Sequence, residues 1–455
     1  MKKTLLWLLI VMLSVSMIAT FSLAGCEKAG EAAEEAEEAE EEKAPVAAEE
    51  VEEEEVAAVT GQVVYNTYAS DPEPRRVDEM VVSLFEEANP GIEVIHSIVN
   101  HEDFKQAIRA YLTSAAPPDV LSWFAGNRAR FFIDKGQVKD ISDLWESAGW
   151  NESIPKGFKA LSTVDDKQYL LPTSYYWWAV YYNTAIFEQY DLAVPTTWDE
   201  FLTVCETLKD NGIIPITIGN KYRWTAAAWF DYLNMRINGP EFHINLMLGT
   251  EKYDDPKVKA VFMTWKDLID KGYFTDDPTG YSWSEILPSM IAGESAMYLM
   301  GQFIMDSIPE ENQADFDFFR FPIIDASVPI GEDAPTDCFF ISEGSVNTEE
   351  AELLLSFLGS KEASEIAVSE LGRLVPSTEV DQSLYTAIQQ KGSDMLAGAD
   401  VVAQFYDRDT TPEMADKGMT AFQAFWADTS EANIDTILAQ LEADRAVFFA
   451  EEEEE

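Results

Sequence analysis

The chain is short of basic residues for its length. Its 455 residues include 31 lysines and arginines against 83 aspartates and glutamates, which gives a net charge of −52 at pH 7. Phosphate backbones and anionic lipid surfaces attract basic proteins and repel acidic ones. The composition therefore argues against nucleic acid or an anionic membrane surface as a partner.

Metal and catalytic motifs are also missing. The three cysteines and three histidines never take the spacing of zinc ligands, so we expect no metal and no cofactor. Cys205 and Cys338 lie among apolar residues, which predicts buried free thiols; a disulfide between them is the alternative in an oxidising compartment. The motifs G-x-S-x-G, H-E-x-x-H, G-x-x-x-x-G-K-[ST] and G-x-G-x-x-G are absent, so the sequence gives no sign of the enzymes that carry them.

The N-terminus carries an apolar segment that is short for a membrane span. Leu5 to Phe21 follows two lysines and precedes Leu23-Ala24-Gly25-Cys26, which resembles a lipobox. We therefore expect residues 1–25 to be a lipoprotein signal peptide and Cys26 to be acylated, so that a lipid anchor holds the chain outside the cytoplasm. The alternative is an ordinary secreted protein with a chance cysteine.

Two further stretches are too charged to fold. Residues 26–58 contain 15 glutamates and two lysines, which predicts a disordered acidic tether, and the five glutamates of 451–455 predict a solvated tail. The part between them is too long for a single core, so we expect two lobes.

The first part of this body alternates strands and helices. Predicted strands at Gly61–Tyr68, Ile92–Val99 and Asp119–Phe124 enclose a helix at Pro74–Asn89 and one capped by Asn100. This order is typical of a parallel α/β sheet, in which ligands bind beyond the carboxyl ends of the strands. That rule places Ser70-Asp71 and the turn from Trp123 to Arg128 at the mouth of a site.

The most aromatic stretch lies between residues 169 and 200. Six of the eight residues from Tyr175 to Tyr182 are aromatic, a pattern that favours a strand. Alternation puts Tyr175 and Trp177 on one face and Tyr176 and Trp178 on the other. One face can pack into a core while the other lines a cleft; burial of all six rings is the alternative.

An ordered set of motifs resembles a known family. YLLPTSYYWWAVYYN is followed by PTTWDEF and accompanied by PDVLSW, IGNKYRW with WFDY, AGESAMYLMGQF and QFYDRDTTPEM. Together they are similar to the extracellular solute-binding proteins of ABC sugar importers, the maltose-binding-protein-like group, over nearly all of the chain after about residue 60. The resemblance implies a two-lobed α/β periplasmic-binding-protein-like fold with three hinge crossings and a helical C-terminal part.

The resemblance also implies where the lobes divide. The N-terminal lobe would hold residues 59–173 and 296–337, and the C-terminal lobe 174–295 and 338–450. The chain would cross near Pro172–Tyr175, Gly293–Ala296 and Asp337–Ile341, and a strand at Ala296–Met300 would return to the first lobe. A ligand that touches both lobes would close the hinge.

The implied function is the capture of a sugar or oligosaccharide by a monomer that delivers it to the importer's permease, without catalysis. Tyr176, Trp177 and Trp224 are the preferred stacking rings, and Asp407 and Arg408 have a structural ion pair as their alternative role. A secreted carbohydrate-active hydrolase, with two opposed carboxylates, and a receptor for a polyamine or peptide are the competing hypotheses. The candidate ligand-binding residues are Asp71, Trp123, Asn127, Tyr175, Tyr176, Trp177, Trp224, Asp231, Trp283, Gln302, Asp337 and Asp407.

Overall fold

The structure is a computed structural model that describes residues 59–451, with the side chain of the last residue left aside. The predicted signal peptide, the acylated Cys26, the acidic tether and nearly all of the acidic tail lie outside these residues. Within the described part, no helix combines the length and apolar character needed to cross a membrane.

Two main sheets organise the described chain. The first has the strand order β2-β1-β3-β12-β6, with β1 parallel to β2 and β3, as predicted, and β12 antiparallel to β3 and β6. The second has the order β10-β7-β9-β8. The strands are β1 (Gly61–Thr67), β2 (Ile92–Ile98), β3 (Val120–Phe124), β4 (Thr163–Val164), β5 (Lys167–Gln168), β6 (Leu171–Tyr175), β7 (Trp178–Asn183), β8 (Ile214–Thr217), β9 (Ser295–Gly301), β10 (Phe316–Phe319), β11 (Gly331–Asp333), β12 (Thr336–Ile341) and β13 (Val401–Ala403).

Helices surround both sheets and make up most of the C-terminal part, as predicted. They are α1 (Pro72–Ala88), α2 (His101–Leu112), α3 (Asn127–Asp134), α4 (Ser142–Ser147), α5 (Trp150–Ser153), α6 (Lys156–Leu161), α7 (Thr184–Gln189), α8 (Trp198–Asp210), α9 (Trp224–Asn238), α10 (Pro240–Met247), α11 (Pro256–Asp270), α12 (Trp283–Ile291), α13 (Glu310–Gln313), α14 (Thr348–Leu358), α15 (Lys361–Leu371), α16 (Ala387–Ala397), α17 (Pro412–Ala427) and α18 (Glu431–Glu451). Short 3-10 helices span Pro278–Gly280, Gln302–Ser307 and Gln382–Leu384.

Side-chain capping marks several helix starts, including the predicted cap at Asn100. Thr197 and Ser282 form capping boxes with the glutamates three residues on, and Asn100 caps α2. Asn347 occupies the N-cap of α14, but its side chain donates to Asp119 Oδ2 at 3.0 Å instead of capping the helix.

The path between the sheets differs from the predicted one. The first crossing is confirmed, because β6 belongs to the first sheet and β7 to the second. The strand expected to return to the first lobe, β9, instead pairs with β7 and β8 in the second sheet. The chain returns only between β10 and β12, and α14 and α15 then pack against α1. The third crossing follows α15, where Leu374 bridges to Tyr175.

Separate cores lie under the two sheets. Helices α1 and α14 pack on one face of the first sheet, and α2 and α3 on the other. The second sheet shares one larger core with α8 to α12 and with α16 to α18. Cys205 and Cys338 are buried free thiols, one in each lobe, so that prediction is confirmed.

Candidate functional site

A cavity of about 280 Å³ lies between the two sheets and is lined by residues of both. On the first-sheet side it meets the segment after β1, from Thr67 to Asp71, at the carboxyl ends of the parallel strands. This is the position that the strand-helix-strand pattern predicts. On the other side it meets the loops and helix starts around the second sheet.

Aromatic rings form the second-sheet wall of the cavity. Trp178 stacks on Phe405 with ring centroids 4.7 Å apart, and it meets Trp224 and Phe303 edge-on at 5.9 and 6.0 Å. Trp283 meets Phe303 at 5.2 Å. Edge-to-face packing of this kind fixes each ring, so the wall is rigid. The rings of this wall are Tyr176, Trp178, Trp224, Trp283, Phe303 and Phe405, and Tyr68, His101 and Phe339 line the cavity from the first lobe.

Alternation along the aromatic stretch decides which rings face the cavity. Tyr176 and Trp178 line it, whereas Trp177, between them, points the other way and is fully buried. Trp177 packs on Phe318 at 5.4 Å, and a Cβ added to Gly392 would come within 2.3 Å of its ring. The preference for Trp177 as a stacking ring therefore does not agree with the structure, because in the connection between β6 and β7 its ring is buried away from the cavity that Tyr176 lines.

An arginine joins the polar wall to this aromatic stretch. Arg408 Nη1 lies 2.8 Å from Asp337 Oδ1, and Arg408 Nη2 donates to the Tyr176 hydroxyl at 2.8 Å. Tyr68 also donates to Asp337, at 3.1 Å. Burial raises the pKa of Tyr176 despite the neighbouring Arg408, so the phenol stays protonated and can act as donor or acceptor.

Asp407 has different partners from Arg408. Its Oδ2 accepts from Lys105 Nζ at 2.7 Å and lies 3.8 Å from Arg128 Nη1. Burial alone would raise the pKa of Asp407, but the cations Lys105, Arg128 and Arg408 together lower it to about 2. Asp407 and Arg408 are thus not paired mainly with each other, contrary to the prediction: Asp407 pairs with Lys105 of α2, and Arg408 pairs with Asp337 of β12.

A second arginine closes the cavity near the third crossing. Arg373 Nη2 lies 3.1 Å from Asp306 Oδ2, and its guanidinium lies over the Tyr176 ring at 5.8 Å. Gln302, a predicted ligand residue, is turned away from the cavity lining: it accepts from Arg373 and donates to the Leu371 carbonyl at 3.2 Å. Its position orients Arg373.

Asp71 is the lining carboxylate without an ion pair among the described residues. It occupies the N-cap of α1 but its side chain makes no capping hydrogen bond. Partial burial raises its pKa and Arg373 opposes the rise. Trp178 Nε1 and His101 Nε2 also lack hydrogen-bond partners, although both residues line the cavity. Burial and Lys105 hold the pKa of His101 well below its usual value, so the ring is neutral at pH 7.

Four other predicted residues lie outside the cavity. Trp123 is buried against Phe124, and Tyr175 packs on Phe158. Asp231 is fully buried and accepts from the Tyr406 backbone at 2.9 Å. These three side chains pack against other residues and do not line the cavity.

The fourth, Asn127, shows why the predicted mouth after β3 is covered. Its backbone and side-chain amides each donate to Asp409, at 3.2 Å. Gly126 has a positive φ of 107°, and a Cβ there would lie 2.6 Å from the Arg408 carbonyl. We call residues 405–409 the strap, because they run across the end of β3 and fill the expected opening.

Sequence reasoning missed several lining residues. Trp178 was on the correct face by alternation and was passed over. Phe303 ends the AGESAMYLMGQF motif but was not selected, and Asp306 and Arg373 come from segments with no motif of their own. Arg408 was considered as a ligand contact or a member of a structural ion pair and was left out of the candidate set.

The family model for bacterial extracellular solute-binding proteins matches residues 69–365. The chain belongs to this family. It is 24% identical to an uncharacterised ABC transporter extracellular-binding protein of Pyrococcus horikoshii, over 72% of this chain and 74% of that protein. It is also 24% identical to a probable sugar-binding periplasmic protein of Mesorhizobium japonicum, over 50% of this chain and 55% of that protein.

Solved structures share the same fold. The bacterial solute receptor AcbH, described as having an exclusive preference for β-D-galactopyranose, superposes with a TM-score of 0.81 and 28% identity, over 86% of this chain and all of that chain. A chitin oligosaccharide binding protein gives a TM-score of 0.79 at 20% identity, over 86% and 99% of the two chains. The fold is therefore the predicted two-lobed solute-binding architecture, and relatives of this family are named as binding proteins and not as enzymes.

Proposed function

We propose that this solute-binding protein captures a sugar in the cavity between its lobes and presents it to the permease of an ABC importer. The observation that carries the proposal is the pairing of an aromatic wall on one side with hydrogen-bonding side chains on the other. The C–H face of a pyranose packs on rings such as Trp178 and Trp224. Its hydroxyls need partners around the rim, which Asp71, Asp337 and Tyr176 supply.

Unmet hydrogen-bonding capacity supports the same conclusion. Trp178 Nε1 is a buried donor without a partner, and Asp71 is an acceptor without an ion pair. Leaving a buried donor unsatisfied costs roughly 1–3 kcal/mol. Trp178 Nε1 is closed to solvent in this structure, so a ligand hydroxyl gains affinity from it if the ring exposes the donor on binding. The cavity volume of about 280 Å³ is near the lower end of ligand pockets, roughly 300–1,000 Å³, and favours a small sugar.

The names of similar proteins point the same way. AcbH is described with a galactopyranose preference, and another neighbour is a chitin oligosaccharide binding protein. The ABC importer as partner follows from the Pyrococcus relative's name. A lipid anchor at Cys26 and a monomeric state complete the proposal.

Hydrolysis is the less favoured alternative. A glycosidase needs a carboxylic acid that carries a proton beside the scissile bond. The pKa of Asp407 is about 2, Asp337 is held by Arg408, and Asp306, whose pKa is raised to about 6, is paired with Arg373. The relatives are named as binding proteins, which also favours binding over hydrolysis. A polyamine receptor would also use aromatic rings, and among the lining carboxylates of residues 59–451 only Asp71 lacks an ion pair and could meet an ammonium group.

The test is a thermal-shift screen against neutral mono- and disaccharides, with spermidine and a tripeptide in the same plate, followed by calorimetry on the hits. A ligand that binds only the folded state raises the melting temperature. We expect at least one sugar to bind without release of reducing ends. Stabilisation by spermidine alone, or steady sugar turnover, would overturn the proposal.

Variants connect the binding to this cavity. Trp178→Phe keeps the ring but removes the Nε1 donor, and we expect roughly a tenfold loss of affinity. Trp426→Phe, a half-buried tryptophan packed on Trp265 and Phe274 away from the cavity, is the matched control and should leave affinity unchanged. If Trp178→Phe binds the sugar as tightly as Trp426→Phe does, the sugar binds outside this cavity.

The anchor is tested separately. Cys26→Ser should move the protein to the soluble fraction or leave its leader uncleaved. A variant that is cleaved and still bound to the membrane would refute the acylation of Cys26.

A further inference from the structure

Within the described part of the chain, every lysine and arginine that lines the cavity is paired. Lys105, Arg373 and Arg408 line it, and each faces a carboxylate that also lines it. Opposite charges this close cancel most of each other's field, so the cavity presents no free positive charge. The three pairs are Lys105–Asp407 at 2.7 Å, Arg408–Asp337 at 2.8 Å and Arg373–Asp306 at 3.1 Å.

A ligand carboxylate would therefore be penalised on entry. It would lose its hydration and meet no unpaired cation, while Asp71 would repel it. A neutral sugar loses only hydroxyl hydration, which the polar wall replaces. Resting on the sugar-binding function proposed above, we propose that the cavity selects neutral sugars against sugar acids, and that Asp306 enforces this selection by masking Arg373.

The Arg373–Asp306 pair is the one suited to this role. Lys105 also contacts Glu102 at 3.0 Å, and the Lys105 and Asp407 side chains are 4% exposed, so that pair is part of the interior. Arg408 is held by Tyr176 as well as Asp337. Among the described residues Arg373 forms an ion pair with one carboxylate, Asp306, and Asp71 is close enough for Arg373 to oppose the rise in its pKa; the Arg373 side chain is 12% exposed.

Removing the charge of Asp306 would leave a guanidinium already in place. Gln302 accepts from Arg373, and the Tyr176 ring lies under the guanidinium at 5.8 Å. A fixed guanidinium binds a carboxylate with two parallel hydrogen bonds. The Asp306→Asn variant should therefore gain sugar acids as ligands.

The charge environment of Asp306 adds a second, independent readout. Burial raises the pKa of Asp306 to about 6, although Arg373 opposes the rise; Glu73 and Asp71 add to it. Acidification from pH 7.5 to 5.5 should protonate Asp306 and free Arg373, while a sugar acid stays ionised. Asp71, whose pKa is also raised, loses its repulsion in the same direction. His101 stays neutral over this range because burial and Lys105 lower its pKa.

The experiment is calorimetry on matched pairs: D-galactose with D-galacturonate, D-glucose with D-glucuronate, and glucosylxylose with glucuronosylxylose. The readout is the affinity ratio within each pair. At pH 7.5 the native protein should favour the neutral member by roughly tenfold or more. Asp306→Asn should shift the ratio toward the acid by roughly tenfold, and Asp306→Asn/Arg373→Gln should abolish that shift. Asp317→Asn, which unpairs the surface cation Lys391 outside the cavity, is the matched control.

The outcomes separate this inference from the proposed function. If neutral sugars bind but the acid binds equally well, the selection is wrong and sugar binding stands. If Asp306→Asn folds and leaves the ratio unchanged, the masking role of Asp306 is wrong and sugar binding again stands. If the protein is folded and neither member of any pair binds, both the selection and the proposed sugar binding are refuted. If Asp306→Asn does not fold, the ratio of the native protein at pH 5.5 decides, and a ratio equal to that at pH 7.5 overturns the masking role.

Discussion

Two tryptophans 47 positions apart provide the sharpest test of where the ligand binds. Trp224 begins α9, lines the cavity and is only partly buried, with its ring edge-on to Trp178 at 5.9 Å. Trp224→Ala removes stacking surface and should cost 2 kcal/mol or more in binding, roughly 30-fold in Kd. Because much of the ring faces the cavity, the variant should lose little stability.

Trp177 should behave in the opposite way. It is fully buried, and Phe318 and the close approach of Gly392 leave no room for the surroundings to collapse. Trp177→Ala should cost about 3–5 kcal/mol of stability, a fall in melting temperature on the order of 10 °C. Its affinity for the sugar should change by less than about threefold, since the ring points away from the cavity.

Calorimetry at a temperature where both variants are folded, with thermal unfolding alongside, measures the two effects. The expected pattern is crossed: Trp224→Ala loses affinity and Trp177→Ala loses stability. If Trp177→Ala binds weakly at unchanged stability, or Trp224→Ala melts early and binds normally, the assignment of the cavity face is wrong.

Four further outcomes follow from the buried charges and the two lobes. Asp407 has a pKa of about 2 in the folded protein, below its value in the unfolded chain. Its charge therefore stabilises the protein above pH 4, and about 2 kcal/mol of unfolding free energy is lost as the pH falls toward 2. Urea unfolding at pH 5 and pH 3 should show this loss, and Asp407→Asn should reduce the dependence of stability on pH. Arg408→Leu leaves Asp337 uncompensated and should cost about 3 kcal/mol by the same measurement; a smaller loss than for a surface pair such as Lys391–Asp317 would contradict it. Burial and Asp333 raise the pKa of Asp231, so stability is lost as the pH rises above the unfolded value; Asp231→Asn keeps an acceptor for Tyr406 and should be more stable than the native protein at pH 8. Sugar binding should reduce the radius of gyration of residues 59–450 in small-angle scattering, and tight binding with identical curves would rule out closure.

Local features of the fold were predictable because their causes are local. Capping boxes at Thr197 and Ser282 depend on residues three positions apart, and the parallel start of the first sheet follows from strand and helix spacing. The placement of β9 was not predictable in this way. Its apolar residues suit any buried strand, and its partners β7 and β8 are about 115 and 80 residues earlier in the chain.

The site residues show the same difference between features with local causes and features with long-range causes. Asp71, Trp224 and Trp283 follow strand ends or begin helices, so sequence position alone places them near the cavity. The prediction for Trp177 was wrong because the number of aromatic rings in the stretch was given more weight than the alternation of side chains along it. Asp306 and Arg373 meet across 67 positions, and only the third crossing, which the sequence did not reveal, brings them together.

The strap changes what hinge motion requires. On its first-lobe side, Asp407 and Arg408 are held by Lys105 and Asp337, and an unpaired buried charge costs about 3–5 kcal/mol. On its second-lobe side, Phe405 stacks on Trp178 and the Tyr406 backbone donates to Asp231. Breaking both first-lobe pairs would consume most of the free energy of a micromolar ligand, about 8 kcal/mol. We therefore expect Asp407 to Asp409 to move with the first lobe during any opening and Phe405 and Tyr406 to move with the second, so that the strap bends between Tyr406 and Asp407 while both ion pairs stay intact.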